Sequence, residues 1–136
     1  KIYKVNPLKM KNILIDTDVL INFLRGKQKA KDFLISVSQD ATICCSAITV
    51  AEIYSGVREH EKEKTITLLN SMTIIGVTRL IAEKTGTYKS SIRSQMPELD
   101  DCLIAATASV MNAALATGNE KHYPMTDIEK ITVLTD

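Results

Sequence analysis

Tryptophan is missing from the 136 residues, and aromatic residues reach only 4%. That argues against an aromatic platform on which nucleic-acid bases could stack. No charge of one sign dominates: 17 Lys and Arg face 16 Asp and Glu, a formal net charge of +1. A strongly basic nucleic-acid binder is excluded, although a locally basic groove is not. No apolar run approaches the roughly 20 residues that span a bilayer. Cysteine is limited to Cys44, Cys45 and Cys102. An odd number without spaced pairs is no disulfide framework. Neighbours on a strand point to opposite faces, so Cys44 and Cys45 read as buried apolar thiols in a reducing cytoplasm, not as metal ligands. Residues 1–9 lack the 7–15-residue apolar stretch of a signal peptide. They read as a leader or expression remnant ahead of a start at Met10.

What is present is the material of a folded core. Hydrophobic residues make up 45% and charged residues 24%, and the length suits one domain. Short apolar runs alternate with longer helical patterns, without repeats, low-complexity segments or linkers. Strands are expected at Asn12–Asp16, Ala41–Cys45, Thr73–Val77, Ala114–Thr117 and Ile131–Leu134. Helices are expected at Asp18–Leu24, Lys29–Val37, Ala47–Arg58, Leu80–Arg93 and Leu99–Asn112. The last is apolar nearly all round, as a buried helix is. Glu59–Lys64 reads as a solvated charge run that continues into Ile66, Leu69 and Met72. Strands alternating with helices imply an α/β fold with a parallel sheet covered on both faces. Sites in such sheets form beyond the carboxyl ends of the strands.

Acidic residues collect at those places. Asp16 closes the first strand and Asp18 follows it. Glu52 lies early in the helix after the second strand. Asp100 and Asp101 open the buried helix, and Thr117, Asn119 and Glu120 follow the fourth strand. Carboxylates without neutralising Lys or Arg repel one another, and a divalent cation makes such a cluster tolerable. Mg²⁺ or Mn²⁺ suits carboxylate and water ligands. Each residue also has a structural reading. Asp16 suits a helix cap, and Thr49-Val50-Ala51-Glu52 fits a capping box. Asp100 and Asp101 suit a helix N-terminus, and Asn119 suits a turn. Spacing alone leaves both readings open.

Four stretches carry a resemblance. Ile13-Leu14-Ile15-Asp16-Thr17-Asp18-Val19-Leu20-Ile21 resembles the opening of the PIN-domain nucleases, specifically the VapC-type toxins. Ser46-Ala47-Ile48-Thr49-Val50-Ala51-Glu52-Ile53 is similar to their second motif and Asp101-Cys102-Leu103-Ile104-Ala105-Ala106-Thr107-Ala108 to their third. Leu115-Ala116-Thr117-Gly118-Asn119-Glu120-Lys121-His122-Tyr123 is similar to the last. The resemblance spans Lys11 to Asp136. It implies a three-layer α/β/α PIN-like domain over residues 10–136, with a central parallel sheet of about five strands. It implies a Mg²⁺- or Mn²⁺-dependent endoribonuclease, the toxin of a VapBC-type toxin–antitoxin pair, that hydrolyses RNA with metal-activated water. Asp16, Glu52 and Asp101 become the catalytic and metal-holding acids, joined at the metal by Asn119, where some members have a fourth acid. Thr17, Asp18, Thr117 and Glu120 support them from behind, and Asp100 falls to a helix cap. His122 is read as surface structure.

RNA needs counter-charge, for which Arg25, Lys89, Arg93 and Lys121 are the candidates. Lys89 and Arg93, four apart, share one side of the expected helix. The resemblance further implies a cognate VapB-like antitoxin, a homodimer and a cytoplasmic location without membrane attachment. Two other readings compete. The strand-Asp-x-Asp opening superficially resembles haloacid-dehalogenase-like phosphatases, although Val19 stands where they carry Gly. A catalytically inactive PIN scaffold that only binds a partner is the non-enzymatic alternative. Setting aside Lys1, Lys4 and Lys9, the 17 basic residues fall to 14 against 16 acidic ones. The overall balance thus sums a concentrated negative pocket and a thinly basic remainder.

Overall fold

Ile13 and Ile15 point to one side of a strand and Leu14 to the other, and all three are fully buried. A strand buried on both faces needs a sheet covered on both faces. The computed structural model describes residues 12–136; the expected leader at residues 1–9 and the start at Met10 lie outside the described residues. Strands β1 (Asn12–Ile15), β2 (Thr42–Ser46), β3 (Thr73–Ile75), β4 (Ala114–Thr117) and β5 (Lys130–Thr132) form one sheet in the order β3-β2-β1-β4-β5. Every pairing is parallel, and Leu14 of the central strand lies between Cys44 and Leu115.

Among the described residues six helices join the strands: α1 (Thr17–Leu24), α2 (Gln28–Ser38), α3 (Ala47–Ser55), α4 (Lys62–Asn70), α5 (Arg79–Ser91) and α6 (Leu99–Val110). Single 3₁₀ turns occupy Glu59–Glu61 and Glu120–His122. On one face Ile13, Ile15 and Cys45 pack with Leu20 of α1, Phe33 of α2 and Leu68 of α4. On the other, Leu14, Cys44 and Leu115 pack with Ile81 of α5 and Ile104 and Ala105 of α6. The result is the expected three-layer α/β/α arrangement. Cys44 and Cys45 fall on opposite faces, and all three thiols are free and buried. Among the described residues no helix is long and apolar enough to cross a membrane.

Several expected boundaries shift. The helix expected through Arg58 stops at Ser55, because Gly56 caps it with its N–H on the Ile53 carbonyl. The strand expected through Val77 ends at Ile75. The helix expected through Arg93 ends at Ser91, and Ile92 is already extended (φ −95°, ψ 97°). Arg93 therefore shares no helix face with Lys89. The charge run is not solvated throughout. Glu61 is buried, where its Oε1 accepts the Arg58 N–H at 3.0 Å and its Oε2 lies 3.8 Å from Arg25 Nε. Those contacts, led by the Arg58 N–H, hold the Glu61 carboxyl below its ordinary range.

The strand order places the topological switch between β1 and β4, whose carboxyl ends then open a crevice. The Asp16 N–H extends the β1–β4 ladder by one bond, to the Ala116 carbonyl at 2.9 Å. The two loops beyond that bond are held side by side.

Candidate active site

Asp16 sits at this switch point as the N-cap of α1, in extended backbone (φ −69°, ψ 154°). Its Oδ1 accepts the Thr17 N–H at 2.8 Å and its Oδ2 accepts the Thr117 hydroxyl at 2.8 Å. Capping and site-building are thus one arrangement: the cap fixes the carboxylate at the crevice. Asp16 is only 6% exposed.

Thr17 turns toward α3. Its Oγ1 lies 2.6 Å from Glu52 Oε1 and 3.0 Å from Thr49 Oγ1. With one hydroxyl proton, Thr17 gives its hydrogen bond to Glu52, the shorter contact. The capping box read into Thr49 and Glu52 does not form. Ser46 caps α3 by accepting the Ile48 N–H, Thr49 is buried, and Glu52 faces the crevice one turn further on.

Asp18 reaches across to β4. Its Oδ2 accepts the Gly118 N–H at 3.1 Å, while its Oδ1 is buried without a hydrogen-bond partner. A Cβ on Gly118 would stand 2.7 Å from Asp18 Oδ2 and 3.4 Å from the Val133 carbonyl. This close approach is what requires glycine there.

Asp101 enters from the first turn of α6. Tyr123 Oη lies 3.4 Å from its Oδ1, and His122 Nδ1 lies 3.6 Å from its Oδ2. Asp100 is not the helix cap. Glu98 takes that position without a side-chain bond, and Asp100 accepts the Asp101 N–H and meets Glu52 across the crevice. Sequence reasoning missed Asp100 as a lining residue, because nothing local shows that α6 begins opposite α3. It also set aside His122, which lines the cleft.

Together these side chains bound an open cleft of about 350 Å³. Asp16, Asp18, Glu52, Glu98, Asp100 and Asp101 supply carboxylates, Thr17 and Asn119 supply neutral polar groups, and no Lys or Arg is among the described lining residues. Burial, then the Asp16 charge, pushes Asp18 up to about 6. Burial and the bond to Asp100 push Glu52 up to about 7. Burial and the Asp100 charge push Asp101 up to about 6. Burial and the Asp16 charge push the Tyr123 phenol far up as well, so it stays a proton donor. Burial comes first for all three acids and mutual repulsion adds to it, with His122 pulling Asp101 back in part.

Hard oxygen donors of this kind suit Mg²⁺ or Mn²⁺, and the unpartnered Asp18 Oδ1 marks acceptor capacity left over. The donor set therefore fits a divalent cation in chemistry. Among the described residues no three His, Cys, Asp or Glu side chains are already gathered around one point as a metal cluster.

The remaining sequence candidates lie outside the cleft lining. Thr117 is fully buried behind Asp16, and Glu120 is exposed on the 3₁₀ turn. Arg25 is drawn toward Glu61, and Lys89 Nζ donates to the Pro97 carbonyl at 2.7 Å. Arg93 and Lys121 are exposed.

Comparison with known proteins gives a consistent result. The PIN domain profile matches residues 13–127. Ribonuclease VapC10 of Mycobacterium tuberculosis (strain ATCC 25618 / H37Rv) is 39% identical over 115 residues, which cover 83% of this chain and 86% of the relative. Ribonuclease VapC19 of the same strain is 35% identical over 115 residues, covering 82% and 92%. A toxin–antitoxin complex from Klebsiella pneumoniae contains a chain of the same fold, with TM-score 0.75 and 26% identity. The match covers 88% of this chain and 96% of that one.

Proposed function

The chain belongs to the PIN domain family, and from that premise we propose that it is a divalent-metal-dependent endoribonuclease, the VapC-type toxin of a toxin–antitoxin pair. The observation that carries the reading is the cleft at the β1–β4 switch point, which Asp16, Glu52 and Asp101 all line, with no Lys or Arg among the described lining residues. Asp16, Glu52, Asp101 and Asn119 would hold Mg²⁺ or Mn²⁺. When bound, the cation supplies Lewis acidity toward water and offsets the charge that develops on the phosphodiester.

This chain's own groups perform the rest. Thr17 N–H and the Thr117 hydroxyl orient the two oxygens of Asp16 before any ligand arrives. Thr17 Oγ1 holds Glu52 Oε1 in the same way. In the metal-free cleft, burial and the bond to Asp100 push Glu52 up to about 7, so before a cation binds it is the acid that carries a proton nearest neutral pH. Tyr123 keeps its phenolic proton and directs it at Asp101. All four basic candidates are exposed, and Arg93 and Lys121 are the two left for phosphate contacts, since Arg25 and Lys89 have protein partners.

A VapB-like antitoxin is the proposed partner, supported by the Klebsiella pneumoniae structure, which is a toxin–antitoxin complex. A homodimer acting on cytoplasmic RNA completes the proposal. The full chain should cleave RNA with Mn²⁺ and stop with chelator. Asp16→Asn should lower the rate by on the order of 100-fold with an unchanged circular dichroism spectrum. Cleavage that survives both chelator and Asp16→Asn overturns the reading.

A further inference from the structure

Among the described residues His122 is the one nitrogen base in the cleft lining, and it has a polar neighbour on each side. The 3₁₀ turn Glu120–His122 sets it three residues after Asn119, and side chains three apart eclipse in that geometry. Its backbone N–H donates to the Asn119 carbonyl at 3.1 Å. Asn119 Nδ2 lies 3.0 Å from His122 Nε2. An amide nitrogen only donates, so this contact is a hydrogen bond when Nε2 accepts, which is the tautomer with its proton on Nδ1. Nδ1 is the atom that faces Asp101 Oδ2, at 3.6 Å.

The Asn119 end of the pair is anchored too. Asn119 N–H donates to Thr117 Oγ1 at 3.0 Å, and that hydroxyl donates to Asp16. One chain of hydrogen bonds therefore runs from Asp16 through Thr117 and Asn119 to His122, and His122 faces Asp101. The imidazole is half exposed, with 55% of its side chain accessible against 16% for Asp101. A ring so exposed is not there to fill the core.

We propose that His122 is a positioning residue of the cleft: through its Nδ1–H it sets the orientation of the Asp101 carboxylate, and through Nε2 it holds the Asn119 amide with Oδ1 left as the acceptor. The proposal rests on the reading of the cleft as a cation-dependent site. Groups that orient metal ligands from behind typically change metal affinity 10–100-fold when removed. His122→Ala should therefore weaken Mn²⁺ binding about 10-fold, measured by electron paramagnetic resonance on the full chain without RNA. His122→Gln, which keeps an amide donor, should recover part of the loss. With RNA, kcat should fall while KM stays within about twofold, the signature of a disturbed reacting centre. In the metal-free protein, imidazole ¹⁵N shifts should report the Nδ1–H tautomer in the parent and lose that preference in Asn119→Ala.

Equal Mn²⁺ affinity and equal kcat in parent and His122→Ala overturn this proposal and leave the cleft reading standing. An Nε2–H tautomer in the parent overturns it as well. A parent that binds no Mn²⁺ overturns the cleft reading, and the positioning role with it.

Discussion

Asp16 caps α1 and lines the cleft with one carboxylate, so the cap reading does not exclude a site there. A helix cap fixes a side-chain oxygen on a backbone N–H, and here that bond aims the other oxygen at Thr117. Asp101 was singled out through the resemblance of Asp101–Ala108 to the third PIN motif, since its position alone suits a helix N-terminus equally well. Asp100 was not, because its meeting with Glu52 depends on how α6 and α3 lie in space. Gly118 was equally silent. Its need for glycine comes from Asp18, 100 residues earlier in the chain. Gly118→Ala should cost about 1–3 kcal/mol in urea denaturation, since the new methyl displaces the carboxylate that accepts the Gly118 N–H. An unchanged midpoint would show that Asp18 swings away at no cost. Thr17→Val keeps the shape and removes the hydroxyl. It should leave Glu52 without its short bond, reduce kcat, and raise the pH at which the cleavage rate turns on, read from a pH–rate profile.

Elements were more legible than their ends. Every expected strand and helix forms, because apolar periodicity reports which face is buried. Ends depend on partners that the local sequence does not show. α3 ends at Ser55, three residues early, and Arg93 falls off α5, so the shared face with Lys89 vanishes. α2 is the clearest case. Its N-cap, Lys27, offers no side-chain bond. The orphan N–H groups of Gln28 and Lys29 donate instead to Asp136, at 2.9 Å and 3.0 Å, and these bonds hold the Asp136 carboxyl below its ordinary range. A carboxylate from the far end of the chain does the work of a local cap. Asp136→Ala should lower the urea midpoint with an unchanged slope, while cleavage is retained because the cleft is elsewhere. A midpoint equal to the parent's would mean that water replaces the carboxylate without loss.

At the scale of the molecule, the near-neutral charge balance conceals a pole. Six carboxylates line one cleft, and three of them are held well above their ordinary range. Unfolded Asp and Glu lose their protons at about pH 4, whereas the fold pushes Asp18 and Asp101 up to about 6 and Glu52 up to about 7. Between those limits the folded chain binds more protons than the unfolded one, so its stability falls as pH rises. The direction is opposite to that of a salt-bridged carboxylate. Glu61, Asp127 and Asp136, all held low, lose their contribution only as pH falls through the unfolded carboxylate range and below it. The metal-free protein should therefore show a higher urea midpoint at pH 5 than at pH 8. Asp18→Asn with Glu52→Gln should flatten that slope, and the difference between parent and variant separates the cleft from the histidines. Mn²⁺ at pH 8 should raise the midpoint, because a ligand that binds only the folded state stabilises it, and should do so less in the double variant. A parent whose midpoint is level or rises from pH 5 to pH 8 in chelator would mean that solvent already screens the six carboxylates, and that the cleft stores no repulsion for a cation to relieve.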